Sequence, residues 1–170
     1  MTNLSIDTTL LAVSGGPFRR FLPVFDPHES ERRELLMTPA LHDWCHQRDD
    51  KKTLAFKANI RAFLGRFVKG ERVCNKDYMK TWRDDVSEFR VQLQPRRENT
   101  RIFGAFLKPD CFVAFHPPRA RSDFGGKHDP RWDIAIDGVT AKWANSFPGT
   151  GRVPSRPFFR CVTSNAWDRA

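Results

Sequence analysis

The chain has 170 residues, of which 29 are Lys or Arg and 20 are Asp or Glu, giving a formal net charge of +9 and a pI near 9.9. The hydrophobic fraction of 39% and the 15 Phe residues exclude a solvated, disordered chain and predict a packed domain. A basic balance of this size favours an anionic partner, namely nucleic acid, anionic lipid or an acidic protein.

The sequence predicts neither a membrane segment nor a secreted protein. No apolar run approaches the roughly 18–20 residues that a spanning helix needs, so no membrane partner is expected. Residues 1–17 have the composition of a flexible leader and lack the basic start of a secretory signal. The four cysteines form no CxxC pair, which is typical of a reduced compartment. The predicted localisation is therefore cytoplasmic.

The chain is expected to enter the fold through an edge strand and then turn into a helix. Residues 18–25 (FRRFLPVF) predict the strand, which Pro23 confines to a sheet edge. Asp26-Pro27 then has the form of a helix start, with Glu29 three residues after the aspartate cap.

Two further helix signals follow. Thr38-Pro39 repeats the start signal, so the first helix is expected to be interrupted or restarted there. Residues 53–69 carry an apolar stripe at helical spacing, formed by Phe56, Ile60, Phe63, Leu64 and Phe67. Gly70 is placed to end this helix, which is the clearest helix signal in the chain.

Three consecutive strands are predicted after residue 86. Apolar and polar side chains alternate over residues 89–94, which indicates a strand with one buried face. A polar turn over residues 95–100 precedes strands over residues 101–107 and 111–116. The intervening Lys108-Pro109-Asp110 is short enough to force antiparallel pairing.

This meander predicts a cluster of guanidinium groups at one edge of the sheet. When the second hairpin closes, Arg101 is expected beside the exit of the next strand, near Arg119 and Arg121. The planar fork of arginine donates two parallel hydrogen bonds to phosphate. The sequence therefore predicts a polyanion site, with nucleic acid as its ligand.

The segment from Trp132 to Trp143 predicts a further β-hairpin. Asp137-Gly138 suits a two-residue turn, and alternating apolar residues would place the two tryptophans as a cross-strand pair on one face. A helix that begins at Asp129-Pro130 is the competing interpretation, and Gly138 in its middle weakens it.

The order of an edge strand, a helical region and a three-stranded meander ending in basic residues resembles the RelE/ParE superfamily of small bacterial toxins. The resemblance is carried by GERVCNKDYMKTWRDDVSEFRVQL and TRIFGAFLKPDCFVAFHPPRAR, with Glu88-Phe89-Arg90 in the place of the family's "ELR" strand and Arg101-Ile102 in that of its "RI" strand. It implies an α+β fold over residues 18–121, a small antiparallel sheet packed on a helical hairpin. Residues 122–170 are then expected to form a β-rich extension on the same domain, with a last strand over residues 157–163.

The RelE branch of this family implies a ribosome-dependent mRNA endonuclease. By position, Arg101 matches the family's phosphate-stabilising arginine, and Arg119 or Arg121 matches the basic residue after the last family strand. His116 is predicted as the general acid or base because imidazole titrates near neutrality, the alternative being a strand-end histidine that faces solvent. The basic residues expected to bind nucleic acid are Lys76, Lys80, Arg83, Arg90 and Lys127.

The implied partners are RNA or the ribosome, together with an acidic antitoxin protein. Two other functions remain open from the sequence. One is a catalytically silent module that binds nucleic acid or the ribosome, and the other is a ParE-like inhibitor whose basic surface meets a protein target.

A possible metal constellation is outweighed by packing. His42, Cys45 and His46 share one helical face, but no spacing marks a fourth ligand, so core packing of Cys45 is favoured. The sequence also has no Gly-rich phosphate loop. Neither a metal nor a cofactor is predicted.

Overall fold

The computed structural model describes residues 16–47, 51–71, 73–74, 78–93, 98–126, 128–154, 161–163 and 166–167. The strands, in chain order, are β1 (Arg19–Arg20), β2 (Glu34–Met37), β3 (Val73–Cys74), β4 (Met79–Thr81), β5 (Val86–Leu93), β6 (Glu98–Lys108), β7 (Cys111–Ala114), β8 (Arg119–Ala120) and β9 (Ala166–Trp167). Seven of them form one sheet in the order β1-β2-β7-β6-β5-β4, with β8 paired to β6, while β3 and β9 form a separate parallel pair.

The predicted three-stranded meander is confirmed. Strands β5, β6 and β7 pair antiparallel in sequence order, and β8 continues the ladder on β6. Side chains alternate between the two faces as the pleat requires: Phe89 and Ile102 belong to one hydrophobic cluster, Phe103 and Ala105 to another. Both faces of the sheet are therefore covered.

Two helices cover the first face. Helix α1 (Pro39–His46) begins at Thr38, whose side-chain oxygen accepts a hydrogen bond from the Leu41 amide at 3.4 Å, and helix α2 is Lys51–Val68. The predicted helix start at Thr38-Pro39 and the predicted long helix are thus confirmed. Gly70 follows α2 with φ +79°, a backbone conformation that glycine adopts without strain.

A third helix, α3 (Pro130–Ser146), covers the opposite face where the sequence predicted a hairpin. Its buried residues, Trp132, Ala135, Ile136, Val139 and Trp143, recur at helical spacing. Asp129 caps the helix by accepting from the Arg131 amide at 2.9 Å. The hairpin prediction was wrong because the alternation through Ile134 is accidental: Ile134 is 64% exposed and faces away from the sheet.

Gly138, which argued against a helix, is explained by its neighbour on the sheet. A Cβ at this position would lie 3.3 Å from Nε2 of His116, so the missing side chain gives the imidazole room against α3. The cost of glycine in a helix, about 1 kcal/mol, is accepted here for a close contact between helix and sheet. The extension is consequently helical over residues 130–146 rather than β-rich.

The N-terminal predictions also need correction. The first strand is limited to β1, and the predicted helix at Asp26-Pro27 does not form; the Glu29 carboxylate caps a single turn by accepting from the Asp26 amide at 2.8 Å. The chain instead enters β2, which pairs antiparallel with β1 and parallel with β7. The sheet is therefore mixed, not antiparallel throughout.

Strand β2 escaped prediction because it has no exposed face. Leu35 and Met37 pack among the helices α1 and α2, while Leu36 packs with the opposite cluster, so the alternation that marks a half-buried strand is absent. Of the predicted last strand, residues 157–160 lie outside the described residues and Cys161–Thr163 are not in a strand. Residues 1–15 of the expected leader also lie outside the described ranges. None of the described helices is long and apolar enough to cross a membrane.

Candidate nucleic-acid interface

Three arginines stand side by side across β5, β6 and β8. Arg90 is the direct cross-strand partner of Arg101, and Arg101 is in turn the partner of Arg119. Directly opposed residues in antiparallel strands have their Cβ atoms about 4.5–5.5 Å apart. We call Arg90, Arg101 and Arg119 the arginine row; it realises the predicted approach of Arg101 to Arg119.

The position of the row follows from strand alternation. Phe89, Val91 and Ile102 face α1 and α2, so the intervening Arg90 and Arg101 face the side that α3 partly covers. Like charges that oppose each other on one sheet face destabilise it by a few tenths of a kcal/mol or more. The opposed guanidinium groups therefore need negative charge close to them.

A buried glutamate lies beneath two of these arginines. The Glu88 side chain is 0% exposed, and its Oε1 lies 3.0 Å from Nε of Arg90 and 3.5 Å from Nε of Arg101. Its other oxygen, Oε2, is buried without a hydrogen-bond partner among the described residues. The sequence analysis saw Glu88 only as part of the "ELR" resemblance; its place two residues before Arg90, on the same strand face, was the available signal.

Arg101 occupies the most enclosed position of the row, with 8% of its side chain exposed. Burial lowers the pKa of its guanidinium, and the charges of Arg90 and Arg121 lower it further, whereas Glu88 opposes the shift. Two neighbouring cations thus act on Arg101 at once. Arg119 is exposed at the open end of the row and has no carboxylate partner among the described residues.

Aromatic rings hold the segment that carries Arg119 and Arg121. Phe124 stacks on Trp132 of α3 at 4.1 Å between ring centroids, and Trp132 stacks on Trp82 at 5.0 Å. The Arg119 guanidinium lies 5.6 Å from the Phe124 ring, and that of Arg121 lies 5.0 Å from the Trp132 ring. We call Trp82, Trp132 and Phe124 the aromatic column; it attaches the basic residues after β7 to α3.

Lys80 and Arg121 are the other predicted basic residues at this column. Lys80 is the cross-strand partner of Glu88, and its Nζ lies 3.4 Å from the Trp82 ring centroid. Arg121 donates from Nη1 to the carbonyl oxygens of Phe124 at 2.7 Å and Gly125 at 3.0 Å. These two cations thus lie around the row, and Arg121 is also a structural brace for its own loop.

Arg83 is engaged elsewhere. Its guanidinium contacts the carboxylates of Asp84 at 2.9 Å, Asp133 at 3.2 Å and Asp137 at 2.7 Å, which ties the short turn before β5 to α3. These hydrogen bonds, led by that to Asp137, raise the pKa of Arg83. Lys76 and Lys127, the remaining predicted binding residues, lie outside the described residues.

His116 lies against α3. Its Nδ1 is 3.3 Å from Nζ of Lys142, and its Nε2 is buried near Gly138. Burial lowers the pKa of the imidazole, and the charges of Lys142 and Arg119 lower it further. His116 is therefore neutral at physiological pH, with an ammonium donor on one side of the ring.

The potential metal ligands of α1 point in different directions. The rings of His42 and His46 stack at 4.4 Å on the surface, whereas Cys45 is fully buried, and burial raises the pKa of its thiol to about 11. Across the described residues, no group of three or more His, Cys, Asp or Glu side chains is placed to hold a metal ion. Cys45 packs in the core of the helical face.

Comparison with known proteins returned no matching family model, curated protein or solved structure.

Proposed function

We propose that this protein is a RelE-like toxin of a toxin–antitoxin system that cleaves RNA, with ribosome-bound mRNA as its substrate, at the arginine row. The observation that carries the proposal is the direct register of Arg90, Arg101 and Arg119 on one sheet face. Guanidinium groups in this arrangement fit the oxygens of a phosphodiester. Arg119 has no carboxylate partner among the described residues, which leaves its charge for such a ligand.

The order of elements supports the same proposal. Strands β1 and β2 precede α1 and α2, and the meander β5-β6-β7 follows them; the resemblance implies one edge strand at residues 18–25, then a helical region and a meander. The arginine row lies on the sheet face opposite to these two helices. A shared order of elements does not by itself assign a function, so the proposal depends mainly on the arginine row.

RNA cleavage requires the protein mainly to position the RNA and to stabilise the negative charge that develops on the phosphate. The RNA 2′-hydroxyl loses its proton and attacks the adjacent phosphorus, and the 5′-oxygen leaves with a proton. Arg101 and Arg119 would stabilise the extra negative charge on the phosphoryl oxygens as the new bond forms. The candidate for moving the protons is the neutral imidazole of His116, whereas the Glu88 carboxylate is fully buried beneath the row.

The test uses a surface arginine so that folding is not in question. Arg119→Gln removes one charge from the exposed end of the row, and Arg152→Gln removes one charge at the far end of α3, where Arg152 contacts Thr140. We expect wild type and Arg152→Gln to cleave mRNA on programmed ribosomes, and Arg119→Gln to cleave at least tenfold more slowly. A 2′-deoxy nucleotide at the cut site should abolish cleavage while binding persists.

The proposal fails if the Arg119→Gln and Arg152→Gln variants cleave equally well, or if the 2′-deoxy substrate is cut. In cells, induced wild-type protein should arrest growth with in-frame mRNA cuts that the Arg119→Gln variant makes far less often. Growth arrest without cuts would instead favour a ParE-like action on a protein target.

One observation favours a second function, a nucleic-acid-binding module without cleavage. The family's C-terminal catalytic tyrosine has no counterpart, and the sole tyrosine, Tyr78, is half-buried with its hydroxyl donating to the Phe63 carbonyl at 2.8 Å. Such a module would still bind single-stranded RNA in a salt-dependent way. Each phosphate contact contributes about −0.7 to the slope of log K against log salt, so Arg119→Gln should make the slope shallower by about that amount. Binding with this slope but no cut RNA would establish the module.

A further inference from the structure

A groove on the helical side of the molecule has an apolar wall and a basic rim. It is about 490 Å³ in volume and lies between the extended segment 21–24 and helix α2. Leu22 is 62% exposed and Val24 is 89% exposed, and both line the groove. Residues two apart in an extended segment point to the same side, so these two side chains form one apolar ridge.

The ridge is held in place by the backbone behind it. Pro23, between the two exposed residues, lies against Gly65 of α2, where a Cβ would come within 3.2 Å of the proline ring. Phe21, at the start of the segment, is 3% exposed and belongs to the core under α2. Because Phe21 and Pro23 hold the segment against the core and against α2, the side chains of Leu22 and Val24 point outward.

The rim of the groove is cationic. Arg61 and Arg66 of α2 and Lys69, directly after it, line the groove, and Glu71 is the acidic residue of the lining. Neither Arg61 nor Arg66 pairs with a carboxylate among the described residues: Arg61 donates to the Cys45 carbonyl at 2.6 Å, and Arg66 lies 5.5 Å from the Phe63 ring. Lys69 is paired with Glu29 at 2.5 Å. The groove thus offers two unneutralised guanidinium groups beside an apolar ridge.

From this combination we propose that the groove is a docking site for an acidic, amphipathic segment of a partner protein. Apolar side chains of that segment would pack on Leu22 and Val24, and its carboxylates would meet Arg61 and Arg66. A second copy of this chain would bring the same cations against each other, which disfavours a symmetric dimer through this surface. A concave groove fits a polypeptide segment better than a flat lipid surface.

The docking site and the arginine row are physically separate. Helix α2 covers one face of the sheet, and the row lies on the other. A partner bound in the groove therefore does not cover the arginine row, so the protein can bind this partner and RNA at the same time. The proposal stands on the groove alone and does not depend on whether the row cleaves RNA.

The test uses a defined probe and the full-length protein. The probe is a fluorescein-labelled peptide of about 14 residues, roughly four helical turns, with Leu on one face and Glu on its flanks. We expect saturable binding that weakens about tenfold or more in Leu22→Asp/Val24→Asp, because two apolar anchors are lost and charge repulsion is gained. Arg66→Gln should weaken binding and reduce its salt dependence. Ile134→Asp changes an equally exposed apolar residue on α3 and should bind as wild type does.

Several results would overturn the proposal. Equal affinity of wild type and Leu22→Asp/Val24→Asp would show that the groove is not the site, and equal binding of a peptide with Lys in place of Glu would remove the role of charge. A concentration-dependent dimer abolished by the same double variant would assign the groove to a second copy. Binding to anionic vesicles, but not to the peptide, would assign it to lipid. Tighter peptide binding after removal of residues 1–15 would assign it to the chain's own N-terminal segment.

Discussion

Arg101 lies directly across the β6–β8 ladder from Arg119, a position where opposite charges stabilise a cross-strand pair and like charges destabilise it. The pairing places like charges opposite each other, which destabilises the free protein, and Arg101 is largely buried beside the cations Arg90 and Arg121. An anion that bridges the pair would convert this repulsion into attraction. The free energy of folding should therefore depend on polyanion concentration.

We expect single-stranded oligouridylate to stabilise the wild-type protein against thermal unfolding. Saturation at about 100 times the dissociation constant corresponds to about 2.7 kcal/mol of added stability. The melting temperature of Arg119→Gln should rise much less, while that of Arg152→Gln should rise as in wild type. Scanning fluorimetry at fixed ionic strength measures the three curves. Equal shifts for all three proteins would mean that the arginine row is not the polyanion site.

Glu88 and Arg101 should show strong energetic coupling. Replacing Arg101 by Met leaves the buried Glu88 carboxylate with only part of its compensation, and breaking a buried pair in this way costs about 3–5 kcal/mol. Replacing Glu88 by Leu at the same time removes the uncompensated charge and should restore most of the stability. Urea unfolding of the two single variants and the double variant gives the coupling energy.

RNA binding by the same three variants distinguishes loss of stability from loss of the RNA site. The stable Glu88→Leu/Arg101→Met variant should bind RNA poorly, because the central cation of the row is missing. A double variant that is as unstable as Arg101→Met alone would contradict the assigned role of Glu88. A double variant that binds RNA with wild-type affinity would contradict the role of Arg101.

The lowered pKa of His116 predicts a specific pH dependence of stability. The imidazole has a pKa near 6.5 in the unfolded chain and a lower value in the fold. Below about pH 6.5 the unfolded state binds a proton that the native state excludes, so the contribution of His116 is complete above this pH and is lost as the pH falls from there to the lower pKa of the folded state. The slope is at most about 1.4 kcal/mol per pH unit.

Comparison of wild type with His116→Asn between pH 7.5 and pH 5 isolates this contribution. The wild-type free energy of unfolding should fall more steeply than that of the variant as the medium becomes more acidic. Parallel curves would show that the imidazole titrates equally in both states. An NMR titration of the ring protons provides the direct value of the folded pKa.

Helix α3 offers a matched pair of substitutions that test its packing. Trp132 is 6% exposed and stacks with Trp82 and Phe124, so Trp132→Ala should cost about 3–5 kcal/mol. Ile134, two residues later, is 64% exposed, and Ile134→Ala should change stability by no more than about 0.5 kcal/mol. In a β-hairpin both residues would face the same way and cost similar amounts. Denaturant unfolding of the two variants distinguishes the arrangements.

The parts of the fold that sequence reasoning found are those with a local signature. The meander β5-β6-β7 shows alternation and short connections, and α2 shows one apolar stripe, so both could be predicted. The approach of Arg101 to Arg119 could be predicted from the meander, because closure of the hairpin after β6 determines which residues of the following segment lie opposite β6. These features depend on segments that are adjacent along the chain.

The parts that were missed depend on distant contacts. Gly138 looks like a turn residue until His116 is placed against it, and β2 looks like no strand until both of its faces are covered. Glu88 has a defined role only when β6 brings Arg101 beside it. Burial on both sides removes the periodic pattern that sequence analysis uses, and a contact between remote segments leaves no pattern at all.

The parallel pairing of β2 with β7 has a consequence for how the chain reaches its native state. Leu35 finds its ladder partner only at Phe112, after α1, α2 and two long strands have been synthesised. Until then β2 has no parallel partner, and Phe112, which packs on Phe67 of α2, is missing from the helical face. A high proportion of pairings between residues far apart in sequence slows folding and prolongs the exposure of apolar surface. A chain that stops before Cys111 therefore lacks the ladder partner of β2, and the central sheet is complete only when β7 has been synthesised.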